Sequence, residues 1–483
     1  MPRIPIEIPL GFYQSESLPF SAQRCINWIP TISEGATLNS NALMQPSGIE
    51  QVIQTGLGAC RGSHVMNGIP YFVLGNQLVS LNEIGTINSL GTISGSVRVS
   101  MADNGTNLVI VVPGGDAYVY DTSTLTQITD ADFQTSDSVG FYRGFFVFTT
   151  SDGAQLFVSN LNQPLVFDAL DFGSAEGDPD RIVTQVLSND ELSIIGSETT
   201  EVFKNIGGAD FPLQIIPGAY TEKGAHSKYG VVKFDNTYLF IGAGGENELS
   251  AIWRQTSSSQ AVKISTDAID NALQKFTKAE IESAFTMSFS KKGQFFAIFT
   301  IESSRIDSKT FVYNGTASSL SGRSIWFEFQ TGVTDNSWRV NAITKAYGRL
   351  FCGDSIDGRI GEIKSDLYTE YSDPVFRQAA TKPFSQNGNK MFAGEFEATF
   401  EAGVGLTTGQ GSNPIVRMDF SDDGKTFSPE FSRSIGRIGE YGHETVWHRQ
   451  GRIPSFRMIR LTITDPVKAS LIRLAATPEL GVD

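Results

Sequence analysis

The sequence predicts an all-β protein: a β-propeller of about seven blades with an N-terminal extended arm and a C-terminal β-sandwich domain. Three observations lead to this prediction. Short β-rich runs meet repeatedly at turns of Gly, Asn, Asp or Ser, which is typical of hairpins. Successive turns lie about 36 to 58 residues apart, close to the roughly 40 to 50 residues of a four-stranded blade. The last hundred or so residues alternate apolar and polar positions, as the strands of a sandwich do.

The propeller prediction depends on seven hairpins. They span residues 71–81, 108–120, 145–158, 192–203, 238–253, 295–313 and 350–363. A lone hairpin is marginally stable in water, so these units must pack on one another. A closed ring of blades is the favoured arrangement. Two stacked sheets of unrelated hairpins are the alternative, because the chain has no WD or kelch signature.

The chain divides into three predicted parts. Residues 1–54 are rich in Pro, Ser and Asn, and they are predicted to form an arm with few core residues of its own, lying on the propeller or on a neighbouring subunit. Residues 55–375 hold the hairpins of the propeller. Residues 380–483 form the sandwich. Its strands are predicted at 392–400, 415–420 and 456–463.

One segment of the propeller region departs from the β pattern. Between residues 266 and 287, apolar side chains fall at helical spacing. Thr277 and Glu280 are placed as a capping box, in which each side chain satisfies a free backbone amide of the other residue. The segment therefore predicts a pair of short helices between blades, with a packing role. The apolar positions are Ile269, Leu273, Phe276, Ile281 and Phe285.

The composition indicates a folded, acidic protein. Apolar residues make up 40% of the chain and charged residues 18%, unlike a disordered sequence. The formal net charge is -15 and the isoelectric point is about 4.8. Tight binding of nucleic acid is disfavoured, because Lys and Arg side chains are what bind phosphates. An acidic surface instead suits a conduit that DNA passes without adhering.

The three cysteines and the N-terminus indicate the compartment. Cys25, Cys60 and Cys352 are far apart and form no CxxC pair, so they are predicted to be buried apolar residues and not disulfides or zinc ligands. The first twenty residues are broken by prolines and lack the apolar region of a signal peptide. No apolar run reaches the roughly eighteen residues of a membrane span. We expect a protein made in a reducing cytoplasm, without membrane insertion.

Histidines give no metal site by motif. His443 and His448 are five residues apart with Glu444 between them, whereas His64 and His226 are isolated in the sequence. A zinc-binding helix carries its histidines at i and i+4, and this segment is strand-like. His443 and His448 are therefore predicted to face solvent or an interface.

Catalytic motifs are missing as well. The sequence contains no G-x-S-x-G elbow, no G-x-x-x-x-G-K-[ST] loop and no H-E-x-x-H segment. It therefore predicts no catalytic, cofactor-binding or metal-binding residue, and a protein that is not an enzyme. A carboxylate pair for glycoside hydrolysis, assembled from distant loops, stays open because sequence spacing does not reveal it.

Residues 421–427 (SDDGKTF) match, once, the Asp-box pattern that recurs in the blades of sialidase-type propellers. The match lies outside the predicted propeller. Physically it predicts a hairpin turn in which Asp423 bonds the turn backbone and Gly424 takes a positive φ, while Phe427 returns to the core. We interpret it as a turn and not as a catalytic signature.

Basic residues cluster in the predicted sandwich. Interleaved with Trp447 and Phe456, they have the composition of a nucleic-acid or glycan patch. On strands they are predicted instead to form a solvated or subunit-facing row that meets the acidic surface of a partner. The acidity of the whole chain favours this interpretation over direct contact with DNA. The row consists of Arg433, Arg437, His448, Arg449, Arg452, Arg457 and Arg460.

Segments in a shared order resemble a known family. They are 25–30 (CINWIP), 43–49 (LMQPSGI), 61–62 (RG), 98–102 (RVSMA), 276–281 (FTKAEI), 325–326 (IW), 330–332 (QTG), and near the end Trp447, 451–453 (GRI), 456–462 (FRMIRLT) and 466–467 (PV). In this order the chain resembles the packaged-DNA stabilisation proteins that form the tail hub of P22-like short-tailed bacteriophages. Its step at residues 46–48 (PSG) departs from the Pro-Gly step of that family.

The resemblance implies a structural role in a phage tail. It implies a homohexameric ring docked under the portal-adaptor ring, closed below by a tail needle or plug, with tailspikes or fibres attached at its sides. Packaged double-stranded DNA would only pass through the channel, and no catalytic residues or cofactors are implied. The protein would be located in the virion tail after assembly in the cytoplasm of the bacterial host.

Two other functions stay open from the sequence. The first is a virion-associated glycan-binding or glycan-hydrolysing propeller, suggested by the Asp box and by acidic loops. The second is a soluble bacterial propeller that scaffolds other proteins. Hydrolysis of host surface polysaccharide would identify the former, and failure to assemble with portal or head components would identify the latter.

Overall fold

Strands form wherever β-branched and aromatic residues alternate between turns, and they make up most of the chain. The computed structural model describes residues 3–480 apart from 36, 176–179, 209–210, 246 and 386–387. The first 54 residues contribute six strands. These are β1 (Ile4–Ile6), β2 (Tyr13–Gln14), β3 (Ala22–Ile26), β4 (Ile29–Ile32), β5 (Asn41–Met44) and β6 (Gly48–Gln54).

Seven antiparallel sheets follow one another in the described residues, and we refer to each as a blade. Blade 1 comprises β7 (Cys60–Met66), β8 (Ile69–Leu74), β9 (Gln77–Leu81) and β10 (Ile87–Thr92). Blade 2 comprises β11 (Ser100–Asp103), β12 (Leu108–Val111), β13 (Ala117–Tyr120) and β14 (Leu125–Gln127). Blade 3 comprises β15 (Ser136–Tyr142), β16 (Phe145–Thr150), β17 (Leu156–Asn160) and β18 (Gln163–Gly173). Blade 4 comprises β19 (Ile182–Ser188), β20 (Glu191–Gly196), β21 (Thr200–Asn205) and β22 (Leu213–Thr221). Blade 5 comprises β23 (Gly224–Ala225), β24 (Val231–Phe234), β25 (Thr237–Ala243), β26 (Ala251–Ser257) and β27 (Gln260–Lys263).

Blades 6 and 7 complete the series after two short helices, α1 (Asp267–Leu273) and α2 (Lys278–Glu282). Blade 6 comprises β28 (Phe285–Lys291), β29 (Gln294–Ile301), β30 (Lys309–Asn314) and β31 (Trp326–Phe329), with α3 (Gly315–Ser321) before its last strand. Blade 7 comprises β32 (Val340–Ala346), β33 (Arg349–Asp354), β34 (Arg359–Lys364) and the early strand β6.

The predicted hairpins are the two middle strands of each blade, and all of them are confirmed. In blade 1, for example, Leu74 faces Gln77 across the two-residue turn at Gly75 and Asn76. Gly75 has a φ of 52° there, which a glycine adopts without a steric penalty. Local turn chemistry therefore fixes the register within each hairpin.

Inner strands of the blades contact one another in a cycle. β7 contacts β11, which contacts β15, and the contacts continue through β19, β24, β28 and β32 back to β7. The sheets therefore close into a ring, and the β-propeller prediction is confirmed. The alternative of two stacked sheets is wrong, because such sheets would not bring the first and last units together.

Blade 7 is closed by a strand from the N-terminal region. β6 lies antiparallel to β34, with Ile49 opposite Ile363 and Gln54 opposite Arg359. The predicted arm ended at residue 54, whereas the structure places 48–54 in the propeller. The reason is the unpaired outer edge of β34, whose backbone amides and carbonyls require a partner strand.

Two of the remaining strands, β35 (Thr369–Glu370) and β36 (Asp373–Pro374), extend blade 7. The others form the C-terminal sandwich. They are β37 (Arg377–Ala380), β38 (Met391–Phe400), β39 (Ile415–Ser421), β40 (Phe431–Ser434), β41 (Thr445–His448), β42 (Arg452–Ile453), β43 (Met458–Ile463) and β44 (Leu471–Leu480). One sandwich sheet contains β38, β41, β42 and β44 together with the arm strands β1, β4 and β5. The predicted C-terminal sandwich is confirmed.

The other sandwich sheet is continuous with blade 6. The order runs β28-β29-β30-β31-β3-β37-β43-β39-β40, so arm strand β3 joins the outer strand of the blade to the sandwich. The expectation that the arm has few core residues is wrong, because Ile8, Cys25, Trp28 and Leu43 are all buried. These residues are scattered among prolines and polar residues, and their burial is supplied by sheets from distant parts of the chain.

Helices are few and short. The capping box is confirmed: the Glu280 amide donates to Thr277 Oγ1 at 3.3 Å, and the Thr277 amide donates to Glu280 Oε2 at 2.7 Å. The predicted helical range is too long, because Phe285 begins β28, and α3 was not predicted. Among the described residues no helix has the length and apolar character that crossing a membrane requires.

Candidate functional site

Arg98 occupies the axis of the propeller. It lies immediately before β11 in blade 2, and its Nη2 donates to the carbonyl oxygen of Asn341 in blade 7 at 2.6 Å. The guanidinium carbon lies 4.6 Å from the ring centre of Phe285 in blade 6 and 5.6 Å from that of Tyr229 in blade 5. Blades 5 and 6 are each three positions from blade 2 around the ring. The Arg98 side chain therefore reaches across the centre of the ring.

Arg98 is a half-buried cation whose guanidinium contacts one backbone carbonyl and two aromatic rings. Burial lowers the pKa of Arg98, while burial raises the pKa of the neighbouring Glu302 carboxyl. Arginine nevertheless stays charged in proteins, so the carbonyl of Asn341 and the two aromatic faces must stabilise the charge. The phenol of Tyr229 completes the arrangement by donating to the Arg98 carbonyl. These contacts link blades 2, 5, 6 and 7 at the centre of the ring.

A partly buried ion pair network, with Glu328 at its buried end, attaches the arm to blade 6. Arg24 on β3 binds Glu328 on β31 with two bonds, of 2.6 and 2.9 Å, and its Nη2 also donates to Asp335 at 2.7 Å. Burial lowers the pKa of Arg24, but the two carboxylates outweigh it and the net shift is upward. A bidentate arginine fixes orientation as well as distance, so the network holds β3 in one register beside β31.

Single hydrogen bonds attach the arm to the sandwich. The indole of fully buried Trp28 donates to the carbonyl of Ala469 at 2.9 Å. Next to it, the Asn27 side chain donates to the carbonyls of Gln330 and Phe376, at 2.7 and 2.8 Å. The arm thus bonds both to the propeller and to the sandwich, and the three parts form one structural unit.

A titratable carboxyl lies where blade 7 meets the arm. Glu370 on β35 is buried and accepts a hydrogen bond from the indole of Trp338 at 2.9 Å. Burial raises its pKa to about 7. At the same junction burial lowers the pKa of Lys291 to about 8. The attachment of the arm therefore contains a group that changes charge near neutral pH.

Histidines lie apart in the structure. His443 and His448 are exposed, as predicted; His448 Nδ1 lies 2.9 Å from Glu395 and His443 Nε2 lies 3.1 Å from the carbonyl of Ser434. His64 Nε2 lies 2.6 Å from Asp103, whose pKa that contact lowers. His226 contacts Ser250. In the described part of the chain, His, Cys, Asp and Glu side chains form no group of three able to hold a metal ion.

The Asp-box segment is a turn of the sandwich. Asp423 accepts hydrogen bonds from the amides of Thr426 and Lys425, each at 2.7 Å, which lower its pKa, and Gly424 has a φ of 76°. The predicted turn geometry is confirmed. The expectation for Phe427 is wrong, because its ring is half-buried beneath the guanidinium of Arg460, 3.8 Å away, and not in the core. Nothing in this geometry favours a glycan-hydrolysing function.

The predicted basic row is divided between the interior and the surface. Arg433, Arg437, His448, Arg449 and Arg452 are exposed. Arg457, however, is only 2% exposed and forms two bonds of 2.7 Å with Asp422, and Arg460 pairs with Asp419. The predicted solvated or subunit-facing position is wrong for Arg457, whereas Arg460 stays partly exposed. The signal that sequence reasoning missed is the acidic pair Asp419 and Asp422, which the neighbouring strand and its turn bring alongside.

All three cysteines are free and buried, as predicted. Burial raises the pKa of each thiol, that of Cys60 to about 11. Because the thiolate is the reactive form, these side chains are chemically inert at neutral pH.

Comparison with known families decides the identity. Residues 4–368 match the family described as bacteriophage P22 Gp10, beta-propeller, and residues 377–479 match bacteriophage P22 Gp10, beta-sandwich. The chain belongs to the bacteriophage P22 Gp10 family. The predicted resemblance to P22-like tail hub and stabilisation proteins is thereby confirmed, and the chain is a structural protein of a phage tail.

Solved structures from other sources resemble part of this chain at low sequence identity. A catalytically inactive virginiamycin B lyase from Staphylococcus aureus, crystallised with quinupristin, is 12% identical, with a TM-score of 0.44, over 65% of this chain and 98% of the lyase. YCF48 from Cyanidioschyzon merolae is 10% identical, with a TM-score of 0.42, over 66% of this chain and 99% of its own. Similarity at this level carries no argument about function. Among curated proteins, no match to the chain was found.

Proposed function

We propose that this chain is the hub, or nozzle, of a short phage tail, attached beneath the portal-adaptor ring, where it closes the DNA exit channel and retains packaged DNA. The observation that carries the proposal is membership of the P22 Gp10 family over both the propeller and the sandwich. The joined architecture supports it. A part that must withstand pressure from packaged DNA needs its domains linked by continuous sheets and buried contacts, as β3 links them here.

In this role the chain assembles as a homohexameric ring. A ring acts through several weak interfaces at once, and this multivalency holds a closed channel without any single strong contact. The hub also carries the tail needle or plug below and the tailspikes or fibres at its sides. Its functional parts are the arm, the propeller and the sandwich, with strand β6 counted in the propeller.

DNA passes between copies of the chain and not through a propeller. The side chain of Arg98 reaches across the centre of the ring to blades 5, 6 and 7, which supports this route for DNA. The net charge of -15 supports passage without adhesion, because like charges repel. No substrate, cofactor or turnover is involved, and the protein acts in the virion tail after assembly in the host cytoplasm.

Genome retention tests the function directly. Heads filled in the absence of this chain are incubated with nuclease, and DNA released over time is measured with and without the purified chain. We expect rapid loss of DNA without the protein and retention once it is added. Electron microscopy of the chain mixed with portal and adaptor should show a sixfold ring below the adaptor. Normal retention by heads that lack the chain would overturn the proposal.

A further inference from the structure

A cleft of about 480 Å³ opens at one face of the propeller, where the inner strands of blades 5, 6 and 7 end. It is lined by Lys233 of β24, by Ser288 and Ser290 of β28, and by Lys345 of β32. Arg98 contacts residues at the beginning of the same strands, so the cleft lies at the other face of the ring from Arg98. We refer to this cleft as the lysine cleft.

Two ammonium groups of the lysine cleft are uncompensated. Lys233 and Lys345 are both exposed, and in the part of the chain that the structure describes no carboxylate pairs with either nitrogen. Although the Lys233 side chain is open to solvent, desolvation by the surrounding protein lowers its pKa, and no carboxylate offsets that shift. Two like charges that share a cleft repel one another, so an anion between them lowers the energy of both.

The other charged groups of the lysine cleft are already paired. Arg349 Nη2 donates to Glu362 Oε2 at 2.6 Å. Asp235 is the one carboxylate among the described lining residues, and it accepts from Arg254 at 3.0 Å. The chain as a whole carries 52 Asp and Glu residues against 37 Lys and Arg residues. The positive charge of the cleft is therefore a local feature that runs against the composition of the chain.

One wall of the lysine cleft is apolar. The ring of Phe295 is 48% exposed there, and beside it the rings of Phe289 and Phe296 stack with their centres 5.1 Å apart. Ser288 and Ser290 lie on the exposed side of β28, and among the described hydrogen bonds neither hydroxyl has a partner. Small-molecule sites typically combine an apolar wall with a few polar groups that fix the orientation of the ligand.

The polar groups match a phosphate monoester. Such a group carries close to two negative charges at neutral pH and has three strong acceptor oxygens, which suit two ammonium groups and two hydroxyls. A carboxylate brings a single charge and leaves one ammonium uncompensated. Duplex DNA is disfavoured, because its singly charged phosphates follow a long backbone and need an extended basic surface, whereas this chain has a net charge of -15.

We propose that the lysine cleft binds a phosphate monoester carried on a small organic group. Lys233 and Lys345 hold the phosphate, and the exposed ring of Phe295 packs on the carbon skeleton. This binding function goes beyond the role of a tail hub and does not rest on it. A soluble sugar phosphate and a lipid headgroup that ends in a phosphate monoester offer the same chemistry.

Calorimetric titration of the full-length protein tests the site, with glucose 6-phosphate as the probe and glucose as the uncharged control. We expect glucose 6-phosphate to bind and glucose not to bind. Lys233→Gln and Lys345→Gln should each weaken binding about tenfold, since each removes one charge-assisted contact. Lys204→Gln is the matched control, because Lys204 is exposed on β21 of blade 4, outside the cleft. Absence of binding, or lysine variants that behave like this control, would overturn the proposal.

The charge and the source of the ligand are tested separately. Glucose 6-sulfate keeps a single negative charge and should bind about tenfold more weakly, and the affinity for glucose 6-phosphate should fall between pH 8 and pH 5 as the phosphate takes up a proton. Phosphatidylcholine vesicles with and without phosphatidic acid identify the source. Flotation that needs both phosphatidic acid and the two lysines indicates a lipid headgroup, whereas binding of glucose 6-phosphate alone indicates a soluble ligand. Equal affinity for the sulfate, or displacement of glucose 6-phosphate by duplex DNA, contradicts the assignment.

Discussion

Tyr229 donates its phenolic hydrogen to the backbone carbonyl of Arg98, and the two residues lie on blades three positions apart. Most propeller contacts join neighbours in the ring, whereas this one spans the axis. Together with the bond from Arg98 to the Asn341 carbonyl, it joins blades 2, 5 and 7 through a single side chain and its backbone. The centre of the propeller is therefore a structural joint.

Loss of this joint should destabilise the chain. Arg98→Met keeps the apolar length of the side chain but removes the donor to Asn341 and the cation over both rings. We expect the free energy of unfolding to fall by about 1 to 3 kcal/mol, since a buried acceptor loses its partner. Urea denaturation measures this. Arg143→Met, which removes an exposed ion pair with Asp190, should leave the urea midpoint unchanged, and an equal effect of both variants would contradict the assignment.

Stability should depend on pH through Glu370. Its pKa is raised from 4.5 to about 7 in the folded chain, so folding favours the protonated form. The contribution is fully present below pH 4.5 and is lost as pH rises through 7, amounting to roughly 3 kcal/mol at about 1.4 kcal/mol per pKa unit. Glu370→Gln should flatten the fall in melting temperature between pH 5 and pH 8. Glu83→Gln, at an exposed carboxylate, should leave that slope unchanged.

Loss of the buried Arg457 side chain should lower the free energy of unfolding far more than loss of the exposed Arg452 side chain. Arg457→Met leaves Asp422 without its bidentate partner and the carbonyls of Gln450 and Arg452 without their donor. We expect a loss of about 2 to 5 kcal/mol, as for other buried pairs that lose one member. Arg452→Met, at an exposed position, should cost under about 0.5 kcal/mol. Guanidinium denaturation of the two variants checks the contrast, and similar midpoints would refute the buried placement.

Closure of blade 7 by β6 predicts a position-specific effect near the N-terminus. Ile49 is 1% exposed between blade 7 and the arm, so Ile49→Ala should cost about 2 to 5 kcal/mol through lost burial and a cavity. Ile4→Ala removes an exposed side chain from β1 and should cost under about 1 kcal/mol. Deletion of residues 1–54 should abolish cooperative unfolding, followed by circular dichroism. A cooperative transition in that deletion variant would show that the blade closes without β6.

Thiol accessibility provides a fifth prediction. Because Cys25, Cys60 and Cys352 are buried and their pKa values are raised, a thiol reagent such as dithionitrobenzoate should react negligibly with native protein at pH 8. In denaturant all three should react at once. Fast reaction of one thiol in the native chain would place that residue at the surface.

Several elements were predictable because their causes are local. A two-residue turn such as Gly75-Asn76 sets the pairing of the strands on either side, and the Thr277 to Glu280 capping box satisfies amides within one helical turn. Residue type alone also predicted the buried cysteines. The errors arose where burial depends on a distant partner. In the sequence, Trp28 and Leu43 look isolated in a proline-rich arm, but in the fold Leu43 pairs with Leu471 of β44 and Trp28 bonds to Ala469 just before that strand. Arg457 looks like one of a row of surface cations, but in the fold it is buried and paired with Asp422.

The sequence by itself therefore determined the all-β class, the seven hairpins, the sandwich at the end of the chain and the resemblance to a phage tail family. Only the tertiary structure decided that β6 closes blade 7, that β3 joins propeller to sandwich, and that Arg98 contacts blades across the ring. The physical reason is the distance along the chain over which each kind of interaction acts. Turn chemistry and side-chain alternation act over a few residues, whereas an unpaired strand edge or a buried charge is satisfied by whichever group the whole fold brings near, here from about three hundred residues away for β6 and β34.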